Sequence, residues 1–108
     1  MGLDVYKNML NEEIVRKKRA LRAFEMDIVN NNRKPIYIKK IKENIYVYIN
    51  DGNKGSFHYK LLGNKNSFSK DEFSKLEFNS NKYNEDIRNI NEIKEDIKKL
   101  ERMVKILD

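Results

Sequence analysis

YNEDIRNINEIKEDIKKLERMVKIL, residues 83–107, is the stretch that decides the fold. From Ile90 onward six of its apolar residues are separated alternately by three and four positions, which is the spacing of a coiled-coil seam. Such a stripe needs a covering partner, because burying each Ile, Leu or Val is worth roughly 1.5–3 kcal/mol. We therefore predict a long heptad helix over residues 82–107 that pairs with another helix through Ile90, Ile93, Ile97, Leu100, Val104 and Leu107.

The charge of this helix indicates what covers it. In a parallel homodimer Asp96 would face Glu101 of the other subunit, so a basic helix is the better partner. Residues 3–29 supply one, and they read as a long first helix. Its apolar positions are Leu3, Tyr6, Leu10, Ile14, Leu21, Phe24 and Ile28. We expect the two long helices to pair antiparallel, either within one chain or exchanged between the subunits of a homodimer.

The hydrophobic period changes from 3.6 to 2 after the first helix, which indicates strands. Asn30–Asn32 and the following Pro35 should end that helix. Residues 36–62 then read as a three-stranded antiparallel meander. Its strands are expected at about 36–42, 45–50 and 56–62.

The second strand shows how the sheet should be oriented. Its aliphatic residues point to one side and Tyr46 and Tyr48 point to the other. The aliphatic side should pack on the helices, and the aromatic side should face solvent with Lys39, Lys40 and Lys42 nearby. The third strand adds either His58 and Lys60 or Phe57 and Tyr59 to the aromatic side, and the register leaves this choice open.

A second helical segment should follow the sheet. Ser69 and Glu72 form a capping box, which predicts a helix over residues 70–78 with Phe73, Leu76 and Phe78 towards the core. Asn79–Asn81 should kink or break it, because Asn and Ser side chains compete for the helix backbone; the alternative is one continuous helix to residue 107. The fold class is therefore α+β, with a single domain over residues 1–108: a long N-terminal helix, a three-stranded meander and C-terminal helices ending in the heptad helix.

The net charge of +6 is concentrated in the first two thirds of the chain. Residues 1–68 hold 14 Lys/Arg and 7 Asp/Glu, a balance of +7, whereas residues 69–108 hold 9 and 10, a balance of −1. An anionic partner should therefore bind to the first part. The absence of cysteine, of a bilayer-spanning apolar run and of a signal pattern favours a cytoplasmic location without membrane contact.

Two groups of residues could bind nucleic acid. One is the run from Arg16 to Arg22, with five cations in seven residues; the other is the aromatic side of the sheet. A solvated helix face and the ordinary strand preference of Tyr would explain the same residues structurally. The candidate nucleic-acid-binding residues are Arg16, Lys17, Lys18, Arg19, Arg22, Arg33, Lys34, Lys39, Lys40, Lys42, Tyr46, Tyr48 and Lys60.

Residues 36–78 also resemble a known module. The matching run goes from Ile45-Tyr46-Val47-Tyr48 through Gly52, Gly55, Tyr59-Lys60 and Leu62-Gly63 to Lys65-Asn66-Ser67-Phe68-Ser69-Lys70-Asp71-Glu72-Phe73. It is similar to the arm-type DNA-binding domains of phage and transposon tyrosine recombinases, in which a three-stranded sheet precedes a helix. The resemblance implies a sheet that enters the DNA major groove. Tyr46 stands where those domains commonly have Trp, and here a long helix precedes the sheet.

The sequence contains no recognisable catalytic arrangement. It has no Gly-rich phosphate loop, and His58 is its single histidine, without an evident nucleophile. We expect no enzyme activity, cofactor or metal. The favoured interpretation is a nucleic-acid-binding accessory protein of a phage or plasmid, with DNA favoured over RNA. Alternatives are a phage-borne inhibitor that binds and blocks a bacterial defence nuclease or another protein partner, either anionic or nucleic-acid-binding, and a coiled-coil scaffold.

Overall fold

The fold combines long helices with a small antiparallel sheet. The structure is a computed structural model that describes residues 2–52 and 58–108. Its elements are α1 (Leu3–Asn30), β1 (Ile36–Ile41), β2 (Asn44–Asn50), β3 (Tyr59–Asn64), a 3₁₀ turn (Lys65–Ser67) and α2 (Lys70–Leu107). The sheet has the order β1-β2-β3 with antiparallel neighbours, so the predicted α+β class is confirmed. No helix among these elements is long and apolar enough to cross a membrane.

The chain divides into two compact units. The helical unit comprises the residues up to Val29 together with Asp86–Asp108, and the sheet unit comprises Asn30–Glu85. α2 contributes its first part to the sheet unit and the remainder to the helical unit.

In the helical unit α1 and α2 pair antiparallel within one chain. Lys7 forms an ion pair with Asp108, and Lys17 Nζ lies 3.3 Å from Asp96 Oδ2, so later residues of α1 meet earlier residues of α2. The seam between them contains the buried Ile14, Ile90 and Ile97. The other expected seam residues are half-buried, namely Ile93, Leu100, Val104 and Leu107.

The buried side of α1 differs from the stripe that the sequence suggested. Leu3 and Tyr6 are 61% and 65% exposed, so their expected place in the stripe is wrong. Lys7 and Lys17 occupy seam positions instead, because a lysine stem can pack on apolar surface while its ammonium reaches a carboxylate at the edge. Seven buried or half-buried positions follow spacings of three and four, and Glu13, Ala20 and Asp27 beside them are half-buried as well; the seven are Lys7, Leu10, Ile14, Lys17, Leu21, Phe24 and Ile28.

The sheet unit begins where α1 ends. Asn32 has a φ of 48°, the left-handed conformation expected of Asn after a helix.

The aliphatic face of the sheet centres on Val47, whose side chain is 0% exposed. Gly63 pairs with Val47, and a Cβ at Gly63 would lie 3.9 Å from the Phe68 ring. That is an ordinary contact distance, so it is the φ of +146° that favours glycine at this position.

α2 runs without interruption from Lys70 to Leu107. It begins at the predicted cap, where Glu72 N donates to Ser69 Oγ over 3.1 Å. The favoured break at Asn79–Asn81, and with it the division into helices 70–78 and 82–107, is wrong, and the alternative of one continuous helix is the one found.

Tertiary hydrogen bonds explain why the helix continues through these polar residues. Asn79 Nδ2 donates to Asn32 O over 3.3 Å, and Asn79 Oδ1 accepts from Arg33 Nη1 over 3.1 Å. Ser80 is 4% exposed, and its Oγ accepts from Ile36 N over 2.9 Å. Asn79 bonds the segment between α1 and β1, and Ser80 bonds the first residue of β1, so neither side chain competes for the α2 backbone.

Phe78 lies at the surface of α2, although it was expected to face the core. Its side chain is 59% exposed, whereas Phe73 and Leu76 are half-buried. The Arg33 guanidinium carbon and Lys82 Nζ lie 5.7 Å and 6.0 Å from its ring centroid. Cation–π contacts at these distances stabilise an exposed ring by roughly 0.5–1 kcal/mol.

Candidate nucleic-acid interface

One face of the sheet carries a group of tyrosines. The register of β1 with β2 pairs Tyr37 with Tyr48 and Lys39 with Tyr46, so these four residues share a face. The register of β2 with β3 adds Tyr59 to it. We define the tyrosine face as Tyr37, Lys39, Tyr46, Tyr48 and Tyr59.

A β-bulge decides which residues of β3 join the tyrosine face. The register shifts at Leu62, which is an extra residue on β3 opposite the step from Val47 to Tyr48. Side chains of a strand alternate between the two faces of the sheet, and the extra residue reverses this order for the part of β3 before it. Tyr59 rather than Lys60 therefore shares the face of Tyr48. Of the two alternatives that the sequence left open, this is the one containing Tyr59 and Phe57; Phe57 itself lies outside the described residues.

Three of the tyrosine rings form a contiguous cluster. The Tyr37 ring centroid lies 6.3 Å from that of Tyr48, with the planes tilted by 46°, and 5.9 Å from that of Tyr59, tilted by 55°. Tyr37 and Tyr59 are each 52% exposed. Together with Lys39 the three rings line an open hollow of about 340 Å³. The cluster therefore presents aromatic surface and one cation to solvent.

The remaining lysines of the strands lie elsewhere. Lys40 pairs with Ile45 and Lys60 pairs with Ile49, so both belong to the aliphatic face. Lys40 was expected near Tyr46 and Tyr48, and this is wrong; Lys60 belongs to the one of the two open alternatives that the register excludes. Both lysines lie on edge strands and are exposed. Lys42 is exposed as well and lies in the turn after β1 with a φ of 56°.

Arg33 and Lys34 have partners within the sheet unit. Arg33 contacts Phe78 and Asn79, and Lys34 Nζ lies 2.6 Å from Asp51 Oδ1. The hydrogen bond from Lys34, and then its positive charge, hold the pKa of Asp51 below its ordinary value. A phosphate would have to compete with these contacts, so both residues are weaker candidates than the exposed cations.

The cations of α1 point to different sides of the helix. Lys17 lies in the seam against Asp96, which removes it from the solvent face. Arg16, Arg19 and Arg22 are exposed and follow one another at the i, i+3 spacing that makes neighbours on a helix surface. We call these three residues the arginine line. Lys18 is exposed beside it, and Arg16 Nε lies 3.5 Å from Glu13 Oε2.

Tyr37 is the member of the tyrosine face that sequence reasoning missed. The available signal is its position two residues before Lys39, which places both on one side of β1. Pairing this strand with β2 through the short turn at Lys42 would have brought Tyr37 next to Tyr48.

Comparisons of this chain with protein-family models, with curated proteins and with solved structures give no match. The resemblance of residues 36–78 to recombinase arm-type domains therefore stays a prediction.

Proposed function

We propose that this chain is a non-catalytic nucleic-acid-binding protein. The tyrosine face would contact bases, and the arginine line would contact phosphates. The observation that supports the proposal most is the cluster of Tyr37, Tyr48 and Tyr59 beside Lys39 on an open sheet face. Aromatic rings stack on bases and an adjacent cation meets the backbone, which is how many sheet domains bind nucleic acid.

The arginine line supports the same proposal from the helical unit. Arginine donates in a planar fork that matches phosphate oxygens, and three arginines spaced along one helix face can follow a nucleic-acid backbone. Each phosphate neutralised releases counterions, which makes the affinity depend on salt.

A salt titration tests the proposal. Fluorescence anisotropy with labelled single-stranded DNA, duplex DNA and RNA should give affinities that fall with salt, at a log–log slope of about −0.9 per phosphate in duplex DNA or about −0.7 in a single strand. The control is an unrelated protein of the same net charge. Binding no stronger than the control, or a slope of zero, would contradict the proposal.

Charge-matched variants test which surface binds. Replacing all three residues of the arginine line with Gln should make the slope shallower by about 0.7–0.9 for each phosphate that is no longer neutralised. The control variant removes three charges from exposed positions of α2 in the same unit, with K98Q, K99Q and R102Q. Equal effects of the two triple variants would show a non-specific response to net charge and would exclude the arginine line as a binding surface.

A second candidate function is the binding of a protein partner, such as a nuclease that the chain inhibits. The observation favouring it is an apolar groove of about 600 Å³ in the helical unit, lined by Tyr6, Met9, Met103 and Ile106 among others. These four side chains are 65%, 59%, 50% and 81% exposed. Purified nuclease bound by the wild type but not by a Met9→Lys, Ile106→Lys variant, with nucleic-acid affinity unchanged, would favour this function.

A further inference from the structure

The tyrosine face offers more ring surface than positive charge. Among the described strand residues Lys39 is the one lysine on it, because Lys40 and Lys60 lie on the aliphatic face. Proteins that hold duplex DNA take much of their affinity from many phosphate contacts. One cation beside three rings instead suits a ligand that binds mainly by stacking.

Stacking requires a base whose flat face is accessible. In a duplex each base is covered above and below by its neighbours, and a protein reaches its edges from the grooves. An unpaired base in a single strand can turn its face to an aromatic side chain. The rings of Tyr37 and Tyr59, each about half exposed, present surface of the kind that such a base covers.

The ring spacing indicates how a base would lie. Inserting a base between two parallel rings needs a separation of roughly twice the 3.4 Å base rise. The centroid distances of 5.9 Å and 6.3 Å are shorter, and the rings are tilted. The base would therefore lie over the hollow of about 340 Å³ rather than between two rings. That volume is near the lower end of the roughly 300–1,000 Å³ of small-ligand sites, so the hollow suits about one nucleotide.

We infer that the ligand of the tyrosine face is single-stranded nucleic acid, with one unpaired base on the Tyr37, Tyr48 and Tyr59 cluster and a neighbouring phosphate at Lys39. This inference rests on the proposed function and narrows it. It also departs from the arm-type resemblance, which implies a sheet in the major groove of a duplex.

Three DNA probes of one length, about 12 nucleotides, separate the possibilities. They are a single strand, the duplex of the same sequence, and a single strand with abasic sites in place of its bases. The single strand should bind best and should quench tyrosine fluorescence, which is readable because the chain contains no Trp. Equal affinity for all three probes, or tighter binding of the duplex, would overturn the inference while leaving the proposed function intact. Binding of none would overturn both.

Variants at Tyr37 test the role of the ring. Tyr37→Leu keeps apolar bulk in the sheet but removes the aromatic face, and it should weaken single-strand binding roughly 5- to 150-fold, the equivalent of removing one base–aromatic stack. Tyr37→Phe should bind as the wild type does. Tyr6→Leu is the matched control, because Tyr6 is a similarly exposed tyrosine in the helical unit. Circular dichroism verifies the fold of each variant.

The affinity of Tyr37→Leu for the single strand is compared with that of the control variant, Tyr6→Leu. If Tyr37→Leu folds and binds the single strand as tightly as Tyr6→Leu does, the tyrosine cluster is not the binding site. If its loss of affinity is the same for the intact and the abasic strand, the ring does not contact a base, and the inference fails on that ground.

Discussion

Ser80→Ala should destabilise the sheet unit by removing a buried hydrogen-bond acceptor. Ser80 is 4% exposed, and its Oγ accepts from the amide of Ile36, the first residue of β1, over 2.9 Å. Alanine would leave that half-buried amide without this partner, next to a position that is almost closed to water. An unsatisfied buried donor costs roughly 1–3 kcal/mol, a large part of the 5–15 kcal/mol that stabilises a typical domain.

The same substitution has an opposing effect on α2. Alanine has a higher helix propensity than serine, by up to about 0.5 kcal/mol. Ser74→Ala measures this gain alone, because Ser74 lies exposed on the same helix. The propensity gain cancels between the two variants, so Ser80→Ala should have a free energy of unfolding lower than that of Ser74→Ala by roughly 1–3 kcal/mol.

Two measurements check this prediction. Urea unfolding followed by circular dichroism gives the stability of both variants, and amide hydrogen exchange reports on the Ile36 N–H itself. We expect the Ile36 amide to exchange faster in Ser80→Ala and at the wild-type rate in Ser74→Ala. Equal stability of the two variants, or an unchanged exchange rate at Ile36, would refute the role assigned to this hydrogen bond.

Three further predictions concern other parts of the molecule. Gly63→Ala should lower the free energy of unfolding by about 1–3 kcal/mol in a thermal melt, because its φ is +146° and a Cβ would lie 3.2 Å from a neighbouring hydroxyl; an unchanged melting temperature would refute this. The ion pair with Lys34 lowers the pKa of Asp51 in the folded protein. It should therefore stabilise the fold at pH values above the ordinary carboxyl pKa, and this stabilisation should be lost as the pH falls through the lowered pKa of Asp51. Asp51→Asn should therefore be less stable than the wild type at neutral pH and approach it in acid; a constant difference would contradict the assignment. A double-mutant cycle with Lys17→Met and Asp96→Asn should give a coupling of about 0.2–1 kcal/mol, whereas additive effects would show that the pair contributes nothing.

Elements with a strong local pattern could be predicted from the sequence. Hydrophobic periods of 3.6 and 2 residues located α1, the meander and the seam of α2. Both periods arise from the residues that an element turns towards a core. The break at Asn79–Asn81 was predicted wrongly, since an intrinsic preference cannot indicate that Asn79 and Ser80 find partners far away in the sequence. The seam positions of Lys7 and Lys17 were missed because a search for apolar residues passes over lysine.

The tyrosine face shows where sequence reasoning ends for the candidate site. Alternation along β2 placed Tyr46 and Tyr48 together, but the choice between Tyr59 and Lys60 depends on one unpaired residue of β3. A bulge changes the side on which every earlier residue of the strand lies, and alternation alone does not reveal it. Gly63 was the available hint, because a glycine inside a strand pattern often marks such an irregularity.

The two lysines in the α1 seam have a consequence for how the helical unit assembles. A uniformly apolar seam tolerates sliding by one turn, because every layer resembles the next. Here such a slide would carry the Lys17 ammonium away from Asp96, towards Lys99 and Leu100 in one direction and towards Glu92 and Ile93 in the other. The pair is partly exposed and worth about 0.2–1 kcal/mol, so its loss disfavours a slipped alignment by a small amount, in addition to the packing of the buried Ile14, Ile90 and Ile97. Lys17 thus helps to set the axial alignment of the two helices.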